Sequence, residues 1–493
     1  MTVDWARGGP DLLVVLDRDA GPLRVQIQDQ LREAIRERRL DAGERLPSTR
    51  RLAELLGVSR GTVVDVYEQL LAEGYVESAV GSGTRVTVMP ASGPARRALE
   101  VISTPASPAS PRPAEADFEY GIPALGSVPL TAWSWAVSEA TRTLPTAELG
   151  DEDPAGSWHL REVVTAYHRR VRSGCAIAED AVVVSGFRQG LAFALATLAQ
   201  GGFQRIALED PGPREHEVIA RRAGLDAVPV PVDGHGVDVG RLRETGARAV
   251  LLTPAHQCPT GVALSPSRRR ALVAWADEVD GVILEDDYDA EFRYDRQPVG
   301  SLQGLNPARV IALGSVSKTL APAIRLGWVL APERFVEKIV EEKRLSSRGA
   351  PGLDQEALAL LMETGRFDRH LRRVREIYRA RRDLLAAEVE NAFGPDRLQG
   401  LAAGCHALLR LPDGTSESAI VATAATMGVR VNGLGQYRFV AQDTEVDLDP
   451  RPPALVLGFG NVSEHQISRG IDKLAKAVRQ VSPAMSGRSG GLL

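Results

Sequence analysis

Residues 89–117, MPASGPARRALEVISTPASPASPRPAEAD, place the strongest limit on how this chain folds. Pro, Ala and Ser dominate the stretch, with prolines at 90, 94, 105, 108, 111 and 113. Such a segment cannot bury enough apolar surface to fold alone, and its prolines stiffen it. The chain therefore predicts two folding units across a linker: a head over 1–88 and a body over 118–485.

Hydrophobic content of 44% and charged content of 25% are those of globular protein, and 493 residues suffice for a buried core. The net charge of −5 excludes nucleic-acid binding by overall charge and leaves only a local patch. There is no apolar run of membrane-spanning length, and MTVDWARGGPDLL lacks the pattern of a secretory signal. Cys175, Cys258 and Cys405 are too few and too scattered for a disulfide framework, which points to a reducing cytoplasm. No CxxC or HxxxH pair is present, so no metal site is expected.

In the head, Leu23, Ile27, Leu31 and Ile35 recur every four residues, one stripe of a helix begun at Pro22. A second helix follows Ser48 and stops at Gly57. Ser59 caps a third, with Val63, Val66, Tyr67 and Leu70 inward and Gly74 at its end. Tyr75 to Val88 reads as two short strands around Gly81-Ser82-Gly83. This order is a winged helix-turn-helix, an α+β module. The third helix is the expected reader, with Ser59, Arg60, Gly61 and Thr62 at the end facing the bases of double-stranded DNA. Arg50 and Arg51 are expected to grip phosphate. The wing is expected to lay Ser82, Gly83, Thr84 and Arg85 along the duplex. Residues 22–88 hold ten arginines and ten acids, so binding must rest on sidedness and on a dimer. The competing reading is a winged helix used for protein contacts.

The body alternates strands and helices. Ala181–Ser185, Arg205–Leu208, Ala249–Thr253, Val282–Glu285 and Val310–Leu313 are continuous apolar strands, the pattern of an α/β parallel sheet covered on both faces. Sites in such sheets collect at the carboxyl ends of strands. After Val310–Leu313 comes Gly-Ser315-Val-Ser317-Lys318, then Arg325. Lysine is rare here, with only Lys318, Lys338, Lys343, Lys473 and Lys476 in the chain. The last four lie in charged, helix-like stretches and read as solvated. Lys318 alone ends an apolar strand, where an amine that can lose its proton serves a purpose arginine cannot. After Val282–Glu285 come Asp286, Asp287 and Tyr288, and after Ala181–Ser185 come Gly186, Phe187 and Arg188 at a helix start. An amine for an aldehyde, a carboxylate for a ring nitrogen and an anion cradle together meet the needs of pyridoxal 5′-phosphate (PLP). Singly, each has an ordinary reading as a surface lysine, a helix cap or a turn.

The head, through LPSTRRLAELLGVSRGTVVDVYEQLLAEGYVES and GSGT, resembles GntR-type winged helices. The body resembles fold-type I aminotransferases through SGFRQGL, TPAHQCPTG, EDDYDAEFRY and GSVSKTLAPAIRLGW. Fused in this order across roughly residues 20–480, they resemble the MocR/GabR group of bacterial transcription regulators. The resemblance implies that Lys318 forms the Schiff base with PLP, that Asp286 pairs with the pyridine nitrogen, and that Tyr288 pairs with the ring oxygen. It implies that Arg325, Ser315, Ser317 and the turn Gly186, Phe187 and Arg188 hold the phosphate. It also implies a head-to-tail homodimer, with each head on its partner's body.

Three positions depart from the aminotransferase pattern. Pro213 stands where an aromatic often stacks on the cofactor ring, a place that Phe187 or His216 would have to fill. Cys258 stands where the enzymes have an asparagine. Val456 stands about where an arginine binds the substrate carboxylate, with Arg430 and Arg451 as replacements outside the motif. Three functions follow. The first is a transcription regulator whose body senses PLP, or PLP joined to an amino compound, without acting as an enzyme. The second is a working aminotransferase with an attached reader. The third is a degenerate body kept for dimerisation.

Overall fold

The computed structural model describes residues 14–79, 83–87, 114–150, 153–289, 291–294, 299–347, 349–400, 403–439 and 452–482. The chain divides into two compact units, Met1–Ser110 and Pro111–Leu493, and the division falls inside the Pro-rich segment.

The head contains α1 (Leu23–Arg36), α2 (Thr49–Leu56) and α3 (Arg60–Ala72). Ile27, Leu31 and Ile35 form the buried stripe of α1, while Leu23, in its first turn, is half-buried. Ser48 caps α2 by accepting from the Arg51 amide at 3.2 Å, and Gly57 ends it in the left-handed region at φ 61°. Ser59 caps α3 by accepting from the Thr62 amide at 3.1 Å. Val63, Val66, Tyr67 and Leu70 then pack on Leu31, Leu52, Val76 and Val86. The wing is an antiparallel pair, β1 (Val76–Ala79) and β2 (Gly83–Val86). Residues 43–46 line the other edge of β2, with Gly43 N to Val86 O at 2.8 Å and Leu46 N to Thr84 O at 2.9 Å. That edge is satisfied by a stretch with no strand pattern of its own.

The body's strands are, in chain order, β3 (Ala116–Asp117), β4 (Ala181–Val184), β5 (Arg205–Asp210), β6 (Asp226–Asp233), β7 (Gly236–Val237), β8 (Ala249–Leu252), β9 (Val282–Asp287), β10 (Val310–Ser315), β11 (Gly327–Leu330), β12 (Leu398–Gln399), β13 (His406–Arg410), β14 (Val429–Arg430), β15 (Asn432–Gly433) and β16 (Ala454–Gly458). Eight form one sheet in the order β4-β11-β10-β9-β8-β5-β6-β7. The stretch from β10 to β6 is parallel, as the apolar runs predict. The sheet as a whole is mixed, because β11 is antiparallel to both β10 and β4. The segment between Ser315 and Gly327 carries no crossover helix, so the chain turns straight back. Strands β4, β8 and β11 are buried throughout. Leu191, Leu195, Phe335 and Ile339 cover one face, and Leu160, Val164 and Leu358 belong to the cluster on the other.

A second sheet, β12-β13-β16-β15, is antiparallel, and β3 pairs with β14 in parallel, Ala116 opposite Val429. Ala116 and Asp117, the last residues of the Pro-rich segment, thus belong to the body's strands. Among the described residues, no helix is long and apolar enough to cross a membrane. One lysine differs from its sequence reading. Lys343 is fully buried, because it follows Phe335 and Ile339 at four-residue spacing on the inner stripe of helix Glu333–Ser347. Lys338 and Lys476 are exposed, and Lys473 is half-buried against Glu115.

Candidate cofactor site and nucleic-acid interface

Three strand ends meet at one edge of the large sheet, since Gly327 of β11 lies opposite Val184 of β4 on one side and Ser315 of β10 on the other. Beyond β4, Gly186 (φ 88°, ψ 173°) enters helix Phe187–Gln200, whose first turn has no side-chain cap. Free amides at such an end favour an anion. Arg325 lies across this turn. Its guanidinium donates to the Ser185 carbonyl at 2.8 Å and would stand 3.5 Å from a Cβ at residue 186. Arg325 itself is left-handed, at φ 54°. The Ser315 hydroxyl donates to that of Ser317 at 2.8 Å and accepts from the Ser317 amide at 3.1 Å. Together these groups offer the guanidinium, hydroxyls and amides that a phosphate requires. Arg188 differs from the rest: its guanidinium is exposed and paired with Glu215, so only its main chain belongs to the turn.

Asp286 lies on β9 beside Leu313 of β10 and is buried, while its neighbour Asp287 points the other way, to Arg172 at 2.5 Å. Burial, followed by the negative charges of Asp287 and Asp289, pushes the Asp286 carboxyl well above the usual range, and Lys318 pulls it back. Asp286 makes no ion pair among the described residues, so a cationic ring nitrogen matches what it lacks. Lys318 donates to the Gly121 carbonyl, and its ammonium stands 5.6 Å from the centre of the Tyr120 ring. Tyr120 had no place in the sequence reading, yet its ring has Tyr288, His406 and Tyr437 edge-on at 6.3, 4.9 and 6.3 Å. The Tyr288 hydroxyl, expected to face the ring oxygen, donates to the His256 carbonyl at 2.8 Å. A buried hydroxyl takes the acceptor within reach, and its own oxygen stays able to accept.

The three departures have structural counterparts. Pro213 precedes helix Arg214–Arg222, and the Phe187 and His216 rings lie 5.5 Å apart near it. Cys258 is buried, and burial pushes its thiol well above the usual value. Val456 is fully buried in an apolar cluster with Leu408 and Leu434, against which Tyr120 and Tyr437 pack. Arg430, one replacement for the missing arginine, is bound to Asp117 at 2.9 Å and Glu119 at 3.4 Å. The strand pair β3–β14 sets that ion pair, and it commits the guanidinium elsewhere. Arg451 lies outside the described residues.

In the head, Arg50, Arg51 and Arg60 are exposed. Glu54 is 3.4 Å from Arg50 and 3.8 Å from Arg51, a loose pairing that a phosphate can replace. The Ser59 and Thr62 hydroxyls lie 2.8 Å apart at the first turn of α3, so both fix the helix start. In the wing, Thr84 is half-buried and Arg85 donates to the Gly43 carbonyl at 2.9 Å. Gly83, at φ 79°, lies under Arg45, whose Nε would be 2.8 Å from a Cβ there. Arg45 was absent from the sequence reading because residues 43–46 carry no pattern marking them as part of the wing. Ser82 lies outside the described residues.

Residues 23–86 match the family of bacterial regulatory proteins, gntR family, and residues 136–429 match aminotransferase class I and II. The chain is 32% identical to the HTH-type transcriptional regulator YhdI of Bacillus subtilis, over 95% of this chain and 98% of that protein. It is 31% identical to the HTH-type pyridoxine biosynthesis transcriptional regulator PdxR of Corynebacterium glutamicum, over 95% and 99%. It is 29% identical to the probable rhizopine catabolism regulatory protein MocR of Rhizobium meliloti, over 94% and 96%. Among solved structures, the multiple substrate aminotransferase of Thermococcus profundus superposes with a TM-score of 0.67 at 23% identity, covering 80% of this chain and 97% of that one. An archaeal alanine:glyoxylate aminotransferase gives 0.67 at 24%, covering 74% and 91%. The winged head, the body with its lysine at a strand end, and relatives matching both from end to end agree: this chain belongs to the MocR-type transcription regulators, a GntR-type winged helix-turn-helix joined to a fold-type I aminotransferase body.

Proposed function

We propose that this chain regulates transcription in response to PLP held at Lys318, without turning over amino acids. The observation that carries this reading is the pairing of Lys318, Asp286 and the Gly186 turn with the aliphatic wall at Val456. When bound, PLP supplies an aldehyde carbon electrophilic toward amines and a pyridine ring that withdraws electrons. The Lys318 amine is the covalent partner. Asp286 holds a proton on the ring nitrogen, and Tyr288 offers its oxygen to the ring. Arg325, Ser315, Ser317 and the amides of Gly186, Phe187 and Arg188 hold the phosphate. An amino acid's carboxylate finds no arginine at residue 456, a loss of a few kcal/mol of binding.

The head, over 1–88, binds double-stranded DNA through Arg50, Arg51, Arg60, Thr84 and the wing, and residues 89–117 link it to the body at 118–485. Two chains form a cytoplasmic homodimer, head-to-tail, that places two heads on two half-sites. PLP, or PLP joined to an amino compound, acts by preferring one arrangement of the dimer. PdxR is named for pyridoxine biosynthesis, and we carry that over: the regulated genes supply PLP. Adding PLP to purified protein produces an absorbance band that Lys318→Ala abolishes, and operator binding changes with the same midpoint. An unchanged spectrum overturns the reading.

A working aminotransferase is the second reading, favoured by the joint presence of Lys318 and Asp286. Loss of the PLP band on adding millimolar amino acids, with release of the matching oxo acid, supports it.

A further inference from the structure

Behind Tyr120 lies a cluster that the cofactor site does not use. His256, Asp289 and His406 are 2%, 2% and 0% exposed, and each offers a donor atom, all within 4.8 Å of one another. They come from three separate segments: the loop after β8, the bend just after β9 and the start of β13. His256 Nδ1 lies 2.9 Å from Asp289 Oδ2. The two imidazole rings are 4.5 Å apart and tilted by 47°, a geometry that stacks neither on the other. Among the described residues, His256 Nε2 is buried without a hydrogen-bond partner, and for hydrogen bonds the fully buried His406 ring meets only the main chain of Gln257 and Pro259. An unpartnered buried atom costs about 1–3 kcal/mol unless something binds it. Gly404 shapes the site, because a Cβ there would lie 2.3 Å from His256 Nδ1 and 2.4 Å from Asp289 Oδ2.

We propose that His256, Asp289 and His406 bind a divalent metal ion of the zinc class. Two imidazoles and one carboxylate suit zinc and its neighbours in the transition series, whereas calcium and magnesium require a shell of oxygens. Tetrahedral metal–ligand bonds of about 2.1 Å put neighbouring ligands roughly 3.4 Å apart, so the donor atoms, within 4.8 Å of one another, need to close by about an ångström around an ion. The ion satisfies one ring nitrogen on each histidine and ties β13 of the small sheet to the strand ends of the large one. It lies one ring away from Lys318, since Tyr120 touches both His406 and that lysine.

The test uses full-length protein without an affinity tag, stripped of metal and PLP, and titrated with cobalt(II) and then zinc. Wild type is expected to take up one cobalt per chain with a visible ligand-field band, and zinc is expected to displace it. His406→Asn and His256→Asn each weaken uptake by at least about tenfold. Lys318→Ala keeps it, which separates this site from the cofactor's. Uptake far below one per chain in wild type, or equal uptake by the histidine variants, overturns the proposal. If the variants do not fold, melting of wild type decides: a higher melting temperature with zinc supports the site, and no rise overturns it.

Discussion

Arg325 covers Gly186: the guanidinium bonds to the Ser185 carbonyl at 2.8 Å, directly over the one residue in that turn with no side chain. Gly186 adopts φ 88° and ψ 173°, a region nearly closed to other residues. Gly186→Ala should cost about 1–3 kcal/mol of stability. It should weaken PLP binding by about tenfold or more, since 1.4 kcal/mol corresponds to tenfold. Urea melts and a spectral titration check both, and unchanged PLP affinity would remove the turn from the phosphate seat.

Val456→Arg tests whether the missing anchor can simply be restored. The wall of Leu408, Leu434, Tyr120 and Tyr437 offers no carboxylate to an introduced cation. The variant should lose about 3 kcal/mol or more, the scale of a buried unpaired charge. Gain of amino-acid turnover without loss of stability would show that the wall opens.

Arg50, Arg51 and Arg60 should contribute to DNA binding in distinguishable ways. Replacing Arg50 or Arg51 by Ala should weaken all sequences alike and lower the slope of log affinity against log salt by about one each. Arg60→Ala should also relax sequence preference. Fluorescence anisotropy on operator and scrambled duplexes checks this, and the PLP spectrum should stay unchanged.

Glu209 gives a pH dependence. It is buried, accepting from the Thr253 amide at 2.9 Å and hydroxyl at 2.8 Å, and burial pushes its carboxyl from 4.5 up to about 7. The folded state therefore holds a proton that the unfolded state has released between those values, so stability falls as pH rises through this window. Above pH 7 the penalty is complete, up to roughly 3 kcal/mol. Glu209→Gln should melt higher than wild type at pH 8, and the gap should close by pH 4.5. A gap of equal size at both values would trace it to packing instead.

Much of the body's candidate site was legible because its residues sit in runs: an apolar strand followed at once by Asp286 or by Ser315, Ser317 and Lys318. Neighbours in sequence at a strand end are neighbours in space. Strand β11 was not legible, since four apolar residues after Arg325 do not state their direction. The His256–Asp289–His406 cluster had no local signal, because three distant segments meet only when the two sheets come together. Tyr120 was hidden for the same reason. Lys343 was legible and misread: its four-residue spacing from Phe335 and Ile339 outweighs the charged composition around it.

The backward run of β11 has a consequence for when the cofactor can bind. Its start lies between the ends of β4 and β10, so the candidate phosphate seat draws on the β10–β11 turn and on β4, which is distant in sequence. Under the proposed function, PLP would bond only to the finished body and would stabilise it by mass action. If PLP is the effector proposed above, a cell short of it would hold the chain in its less stable form, and the supply of PLP would set both signal and lifetime.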